Sequence, residues 1–529
     1  MKTLLLNLPH HNTPYPLGLA CVAGSLHHDV IGFDAFWWQN KLNKDRQAGQ
    51  VTVDIDNMIR DLILSEKPDM IGMTFHQFTD RDVAWIKKLR QHHSGILVGG
   101  GASVSLPENG VSILKSTELD VVVLGDGEEA SKQLESIVAS GNLESLKNVD
   151  GICFKQDGEI FQTQPREVQY SIDQYFPNSN IFPGLGKGID NYREIALYSS
   201  RGCFWNCSYC SVTNIAKNIG IKRRRVQSAQ RVIDGLDRIA TKRNINKLNF
   251  FDDDFLGLAD ADFIRASNIF SGLNKYNDLS SVFFETTPRA VVNSYKKYPE
   301  FWQMIKAYND AGKQISVSVG IESMSTSILD RMGKKTDRSL NLEAASIVEK
   351  YASSKSTITY IMYLDHKLTL SELKETIEGF YDVLKKIPNA PHKDLLNKPM
   401  IPTRGSATWY ELKSENNLME YKLPIEIDGY KTITTYHFRH EDVAKAYLLI
   451  EFYKESLHNL YLKGVEMKNV FNAILGHAAQ LAIPASEIVP IGVYYDINFK
   501  KGFMSRLKGD DAIKSVSSII KTAMIAATA

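Results

Sequence analysis

Three of the chain's five cysteines fall within eight residues, in the run Arg201-Gly-Cys-Phe-Trp-Asn-Cys-Ser-Tyr-Cys. Cys203, Cys207 and Cys210 thus have C-x3-C-x2-C spacing. No histidine lies between His93 and His366, and Cys153 is fifty residues upstream of Cys203, so the thiolates have no local fourth partner. A structural zinc site takes four protein ligands in a tetrahedron. An iron–sulfur cube held by three thiolates keeps one iron open, and an open iron can do chemistry. Spacing alone leaves both readings standing: a zinc or structural site completed by a distant ligand, or a cluster with an open iron. An odd group of three thiols argues for ligation rather than a disulfide.

Composition narrows the setting. At 529 residues the length corresponds to roughly three domains. A net charge of +1 argues against bulk nucleic-acid or membrane electrostatics. The opening Met-Lys-Thr-Leu-Leu-Leu-Asn-Leu-Pro has too short an apolar run for a signal peptide and reads as a first strand. No stretch approaches the ~18 apolar residues of a membrane helix. Few cysteines and no export signal place the chain in a reducing cytoplasm. Cys21 and Cys153 read as buried small hydrophobes.

The elements that must position the cysteines alternate in type. Over residues 1–140, apolar runs at Thr3–Leu8, Val30–Phe33, Met70–Phe75, Ile96–Val98 and Val121–Leu124 are separated by helical patterns at Asp56–Leu64, Arg81–His92 and Glu128–Ala139. Short, nearly all-apolar strands between helices predict a parallel sheet covered on both faces. The fold class is therefore α/β, opening with a doubly wound, Rossmann-like domain that binds ligands at the strands' carboxyl ends. Residues 141–192 read as a connector with a hairpin around Asp157-Gly158. A second alternating run, 193–424, has strands at Ile195–Ser199, Lys247–Phe251, Ser281–Glu285, Ile315–Val319 and Thr357–Tyr363, with a weaker one near Met400. Helical patterns lie between, the last opened by the capping box Thr369-x-x-Glu372. Five or six β/α units predict a complete or partial barrel, with chemistry at the strand C-terminal face. The cysteines follow its first strand directly. Residues 425–529 form a small mixed or helical domain, helical over His440–Tyr461, that caps the cavity.

A strand, then C-x3-C-x-aromatic-C, then a β/α barrel resembles the radical S-adenosylmethionine (SAM) enzymes, with Tyr209 in the aromatic slot. The resemblance implies a [4Fe–4S] cluster on Cys203, Cys207 and Cys210, with SAM chelating the open iron. It also implies reductive cleavage of SAM to a 5′-deoxyadenosyl radical. Further segments resemble the subgroup that carries a cobalamin-binding domain. Phe250-Phe-Asp252-Asp253-Asp254-Phe255 resembles its F-x-D-D-x-F strand end, placing Asp252 and Asp253 by the SAM ammonium, where carboxylates suit a cation. Val319-Gly-Ile-Glu322-Ser resembles its V-G-I-E-S segment, with Glu322 on ribose or substrate, and Glu285 ends another strand that faces the same cavity. Pro402-Thr-Arg-Gly-Ser406 resembles its P-x-x-G-T run. The usual Gly-x-Pro-x-Glu-Thr turn is replaced by Tyr363-Leu-Asp-His366-Lys-Leu-Thr, which sets the substrate side apart.

The first domain resembles the same subgroup through Tyr15-Pro-Leu17-Gly-Leu-Ala20, Pro68-Asp-Met-Ile-Gly-Met-Thr74-Phe75, Val98-Gly99-Gly100-Gly101 and Gly125-Asp-Gly127-Glu128. What this implies is a cobalamin site including Leu17, Thr74, Gly99, Gly100, Gly125, Gly127 and Glu128. The cobalt-ligating D-x-H-x-x-G signature is missing. His76, in the Thr74–Thr79 loop near the cobalt's lower face, is either an axial ligand or a loop histidine without a role. Gly125-x-Gly127-x-x-Ala130 also fits a dinucleotide fingerprint, but on the last strand rather than the first βα turn. Lys222-Arg-Arg-Arg225 is either a solvated face or a contact for an anionic group.

The function so implied is a cobalamin-dependent radical SAM methyltransferase. It moves a methyl from SAM through methylcobalamin to an unactivated carbon, driven by an external one-electron reductant such as flavodoxin or ferredoxin. A cyclisation or rearrangement using the same cofactors is the alternative. A tRNA methylthiolating enzyme needs a second three-cysteine cluster that Cys21 and Cys153 cannot supply. A non-catalytic zinc-binding protein is the remaining class. The substrate, a small molecule or a peptide, is not written in any motif.

Overall fold

The computed structural model describes residues 1–10, 16–48, 54–76, 78–166, 171–174, 176–182, 194–218, 220, 224–241, 244–361, 363–386, 400–427, 430–450 and 467–478. Along the chain the first elements are β1 (Lys2–Asn7), α1 (Leu17–Ala23), β2 (Asp29–Asp34), α2 (Ala35–Gln47), α3 (Ile55–Glu66), β3 (Met70–Thr74) and α4 (Asp80–His92). There follow β4 (Ile96–Gly100), α5 (Pro107–Ser116), β5 (Val121–Val123), α6 (Glu128–Ser140), β6 (Ile152–Gln156), β7 (Glu159–Gln162), β8 (Glu194–Leu197) and β9 (Ser200–Arg201). Next come α7 (Ser211–Asn218), β10 (Arg225–Val226), α8 (Ala229–Ala240), β11 (Lys247–Phe250), α9 (Asp260–Leu273), β12 (Ser281–Thr286), α10 (Pro288–Lys297), α11 (Pro299–Asp310) and β13 (Gln314–Glu322). The series closes with α12 (Thr326–Arg331), α13 (Arg338–Tyr351), β14 (Thr357–Tyr360), α14 (Leu370–Lys386), α15 (Ala407–Ser414), β15 (Leu418–Ile427) and β16 (Tyr430–Tyr436), with residues 441–450 and Met467–Ala478 helical beyond it.

The chain forms two compact units. The first comprises Met1–Cys203, Val212–Asp253 and Ser267–Ser280; the second comprises Phe204–Ser211, Asp254–Ala266 and Ser281–Ala529. In the first unit a seven-stranded sheet runs in the order β2-β1-β3-β4-β5-β6-β7. Its first five strands are parallel, and β5, β6 and β7 pair antiparallel. The order 2-1-3-4-5 is doubly wound, with its switch point between β1 and β3. The expected hairpin forms, with Asp157 and Gly158 both at positive φ, but it extends the first sheet as its antiparallel edge instead of bridging two domains.

Burial explains the strands. Leu4, Leu6, Ile71, Met73, Leu97 and Val122 are all under 3% exposed in one apolar cluster. Each such side chain contributes roughly 1.5–3 kcal/mol when buried. Helix α3 turns Ile55, Ile59 and Ile63 inward at four-residue spacing, the stripe a 3.6-residue repeat demands. Helix α4 starts on a capping box in which Thr79 and Asp82 bond each other's backbone.

The barrel strands are divided: β8 pairs in parallel with β11 in the first unit, and β12, β13 and β14 pair in parallel in the second. Strand β12 alternates, burying Val282, Phe284 and Thr286 while exposing Glu285. Of the strand expected near Met400, residues 387–399 lie outside the described residues, and no strand is present at 400–403. Met400 N–H donates to the Tyr363 carbonyl at 3.1 Å, but Pro402 has no N–H to continue a ladder. Strand β14 ends at Tyr360 rather than Tyr363. The sequence reading did not anticipate α1, α2, α5, α7, α10, α12, α15 or the β15–β16 hairpin, and residue 424 falls inside that hairpin. Of the expected helix His440–Tyr461, residues 441–450 are helical and the remainder lies outside the described residues. Among the described residues no helix is long and apolar enough to cross a membrane.

The capping box at Thr369-x-x-Glu372 is present and does more than cap. Thr369 N–H donates to Glu372 Oε2 at 2.9 Å, while Arg331 Nη1 and Ser327 Oγ donate to Oε1 at 2.9 and 2.7 Å. Burial opposes the charge, but these donors hold the carboxyl down at about 2. A depressed carboxylate stabilises the fold above its unfolded value and loses that stabilisation as pH falls through its folded value. Wild type is therefore expected to lose stability between about pH 4.5 and about pH 2 from this group. Urea unfolding of Glu372→Gln across that range should show a smaller pH-dependent loss than wild type.

Candidate functional site

At the switch point of the first sheet, β1 ends at buried Asn7 and β3 ends at half-buried Thr74. Asn7 is fixed by its side-chain N–H to Asp34 Oδ1 at 2.8 Å. Leu17 is buried at the start of α1, Gly18 beside it is exposed, and a Cβ on Gly18 would lie 3.7 Å from Thr74 Oγ1. Gly99 and Gly100 end β4, and a Cβ on Gly100 would meet nothing nearer than 4.0 Å. Gly101 must be glycine: its φ is +103°, and a Cβ would lie 2.7 Å from both the Phe75 carbonyl and Thr74 Oγ1. A loop with this little side chain leaves backbone free to approach a large flat ligand. His76 is exposed just past β3. His10 instead binds Asp82, at 3.1 Å.

The turn after β5 carries Gly125, Asp126, Gly127 and Glu128. Gly125 N–H donates to Ser105 Oγ at 3.2 Å, and Gly127 caps α6. The two acids turn inward. Glu128, 1% exposed, accepts from Arg201 Nη2 at 2.5 Å, and Asp126 pairs with Arg201 at 3.2 Å and with Arg225. Burial works against the Arg201 charge, but Glu128 and Asp126 hold its guanidinium protonated well above the usual range. Burial likewise opposes ionised Asp126, and the two arginines more than offset it. Arg225, from the basic run expected to be a solvated face or an anion contact, is a buried partner of Asp126; Lys222 and Arg223 lie outside the described residues.

Arg201 is two residues before Cys203, and its neighbours are tied as firmly. Asp252, 1% exposed past the end of β11, accepts from Ser199 N–H at 3.1 Å, Ser199 Oγ at 2.8 Å and Ser200 Oγ at 2.5 Å. Asp253 accepts from Gly202 N–H at 2.9 Å. Each residue from Ser199 to Gly202 is thus bonded to a carboxylate. Asp252 spends both oxygens on this segment, and Glu128 spends both on Arg201. Any role of either carboxyl toward a cofactor runs through what it holds.

Cys207, Tyr209 and Cys210 belong to the second unit, and none of the five cysteines is in a disulfide. Their loop is gripped from two sides. Ser208 N–H donates to the Met332 carbonyl at 2.9 Å, and Thr408 N–H donates to the Ser208 carbonyl at 2.9 Å. Strand β13 has a bulge between Gly320 and Glu322 that leaves Glu322 at φ +65°, rare for a side chain of this size. Glu322 so turned accepts from Lys334 Nζ at 3.1 Å, and Lys334 also donates to Tyr209 Oη at 3.3 Å. Gly320 makes room, since a Cβ there would lie 2.5 Å from Glu322 Oε1 and 3.2 Å from Lys334 Nζ. Burial pushes the Cys207 thiol up, opposed by Lys334 and a hydrogen bond from Tyr209. Burial and then Glu322 raise the Tyr209 phenol well above its usual range. Lys334, 7% exposed, carried no sequence signal; only the fold brings it to the cysteine loop.

Glu285 is exposed at the end of β12, and Asp254 is consumed by Thr286 Oγ1 at 2.8 Å. His366, Glu411 and Glu415 place ligand atoms within 4.8 Å of one another. Glu411 is paired with Lys367 and Glu415 with Arg439, so this is a charge-balanced network at the start of the substituted Tyr363–Thr369 turn.

Cys203 and Cys210 are half-buried and Cys207 is buried, and in the second unit Lys334 and Tyr209 lie close to Cys207, a lysine and a phenol suited to offset thiolate charge. If Asp252 is the strut described, Asp252→Ala strands three donors at roughly 1–3 kcal/mol each. Urea unfolding without SAM should show that loss, together with reduced iron per chain after anaerobic reconstitution.

The radical SAM superfamily model matches residues 197–379. An uncharacterized methyltransferase of Pyrococcus horikoshii is 25% identical over 406 residues, covering 74% of this chain and 81% of that one. An anaerobic magnesium-protoporphyrin IX monomethyl ester cyclase of a Synechocystis species is 26% identical over 229 residues, covering 40% of this chain and 42% of that one. The fold matches the cobalamin-dependent SAM radical enzyme OxsB, solved with aqua-cobalamin, at a TM-score of 0.68 and 18% identity, covering 99% of this chain and 80% of that one. Residues 197–379 thus match the radical SAM superfamily, whose members use a [4Fe–4S] cluster and SAM, and the chain has the fold of that cobalamin-dependent radical SAM enzyme.

Proposed function

We propose that this chain binds cobalamin as well as SAM and transfers a methyl group from SAM to an unactivated carbon of a small-molecule or peptide substrate. The observation that carries the reading is domain order: a doubly wound sheet with glycine-built strand ends precedes a radical SAM domain opened by three cysteines. The methyltransferase name of the Pyrococcus relative supports it. In this reading residues 1–140 take cobalamin, 141–192 add the β6–β7 edge to that sheet and lead on to the barrel of 193–424, and 425–529 cover the substrate. The location is cytoplasmic, and the electron comes from a protein such as flavodoxin or ferredoxin.

Cys203, Cys207 and Cys210 hold the cluster. Tyr209, Asp252, Asp253, Glu285 and Glu322 serve SAM. Leu17, Thr74, His76, Gly99, Gly100, Gly125, Gly127 and Glu128 line the cobalamin site. When bound, the cluster supplies the electron that splits SAM, and cobalamin carries its methyl group. The protein's own part is positioning. Asp253 holds Gly202 N–H, and Arg201 holds the Gly125–Glu128 turn, so the segment leading into Cys203 and the cobalamin-side turn share one rigid support. A fixed arrangement of reactants supplies the proximity advantage of an intramolecular step. Cys207, 8% exposed, is largely shielded from water, which protects radicals from side reactions.

The cyclase name of the Synechocystis relative favours a second reading, a cyclisation or rearrangement with the same cofactors. Anaerobic incubation with cobalamin, SAM and a low-potential reductant separates the two. Methyl transfer is expected to yield both 5′-deoxyadenosine and S-adenosylhomocysteine, with both falling to background in Cys207→Ser. Deoxyadenosine without the homocysteine product points to the second reading. Stoichiometric zinc with no iron, and neither product, sinks both.

A further inference from the structure

Helix α15 sorts its charges by side. It starts where Gly405 turns the chain at φ +87° and the Ser406 hydroxyl accepts from Trp409 N–H at 3.1 Å. Its acids are engaged: Glu411 is paired with Lys367, and Glu415 with Arg439 and His366. Trp409 and Lys413, four residues apart, share another side of the helix. Lys413 Nζ lies 5.0 Å from the centre of the Trp409 ring, and Arg404 Cζ lies 5.7 Å from it. Tyr410 packs edge-on to the same ring, 5.0 Å between centres, and is 38% exposed. Arg404 and Lys413 are exposed, and neither has an ion-pair partner among the described residues. Other exposed lysines of this unit, such as Lys296, Lys297 and Lys306, are each paired with a carboxylate.

This patch is tied to the cysteine loop. Thr408, the residue before Trp409, donates its N–H to the Ser208 carbonyl at 2.9 Å and its hydroxyl to Ser208 Oγ at 3.1 Å, and Ser208 follows Cys207 directly. All of these residues lie in the second unit. We propose that Arg404, Trp409, Tyr410 and Lys413 form the docking face for an acidic protein that delivers the single electron. Two cations whose neighbouring acids are engaged elsewhere steer an acidic partner and repel a basic one. Trp, Tyr and Arg are also the side chains that anchor protein interfaces most often. Electron-transfer encounters are small, below about 1,200 Å² of total buried surface, so a short helix and the loop before it are enough. In the transfer the donor loses one electron and the cluster passes from its 2+ to its 1+ state; no bond breaks and no proton moves. The assignment rests on the cluster being held by Cys203, Cys207 and Cys210, as proposed above, and gives the external donor a place on the chain.

The test is stopped-flow reduction of the reconstituted full-length protein by two acidic donors, reduced flavodoxin and reduced ferredoxin. Reduced methyl viologen, a small cation that needs no docking face, serves as the control. The double variant Arg404→Glu/Lys413→Glu is expected to take electrons from the protein donor at least about tenfold more slowly than wild type at low salt. The gap should narrow as salt screens the charges. Its iron and sulfide content and its reduction by methyl viologen should match wild type. A double variant with a full cluster that the protein donor reduces as fast as wild type overturns the docking face and leaves the cluster reading intact. So does an equal slowing with methyl viologen, or a wild type that methyl viologen reduces and neither protein donor does. Wild type that assembles no cluster overturns both. Should the double variant fail to fold, Lys413→Gln and Arg404→Gln decide instead, each expected to slow the protein donor alone by a smaller factor.

Discussion

Arg201 is the constraint around which the first unit's functional end is built. A guanidinium with only 15% of its side chain exposed gives up much of its hydration, at a cost of several kcal/mol. Glu128 and Asp126 offset that cost, and Arg225 shares Asp126, so two arginines and two carboxylates close into a balanced group. The group joins the turn after β5 to the strand that leads into Cys203. Asp252 and Asp253 continue the pattern on Ser199, Ser200 and Gly202. Four consecutive residues are pinned by carboxylates from two directions, a dense investment in holding one short segment still.

The second unit uses a different device. Its part of the cysteine loop is held by backbone groups of Met332 and Thr408 rather than by buried charge. Lys334 brings charge to the loop, donating to Tyr209 and Glu322. Backbone holds the loop and leaves the ammonium to act on the phenol.

Strand existence was legible because buried parallel strands are short apolar runs, as Met70–Thr74 and Val121–Val123 are. The capping signal at Thr369 and Glu372 was legible because it is local chemistry. Helix α2 was not, since Phe36-Trp-Trp is followed by an almost wholly polar stretch with no helical apolar repeat. The β15–β16 hairpin crosses position 424, where the fading strand–helix alternation suggested a change of domain, because pairing between two strands is not visible in either one.

By itself the sequence determined the chemistry-bearing set: three thiols at C-x3-C-x2-C, an aromatic in the third slot, and acids and glycines at strand ends. Those are local patterns, and local patterns survive without coordinates. Only the tertiary structure decided what each group is bonded to. It turned Glu128 and Asp252 inward, took Arg225 from a basic run into a buried pair, and brought Lys334 beside Tyr209 across 125 positions. The physical reason is that a buried charge must find its partner wherever the fold supplies one. Separation along the chain carries no information about that choice.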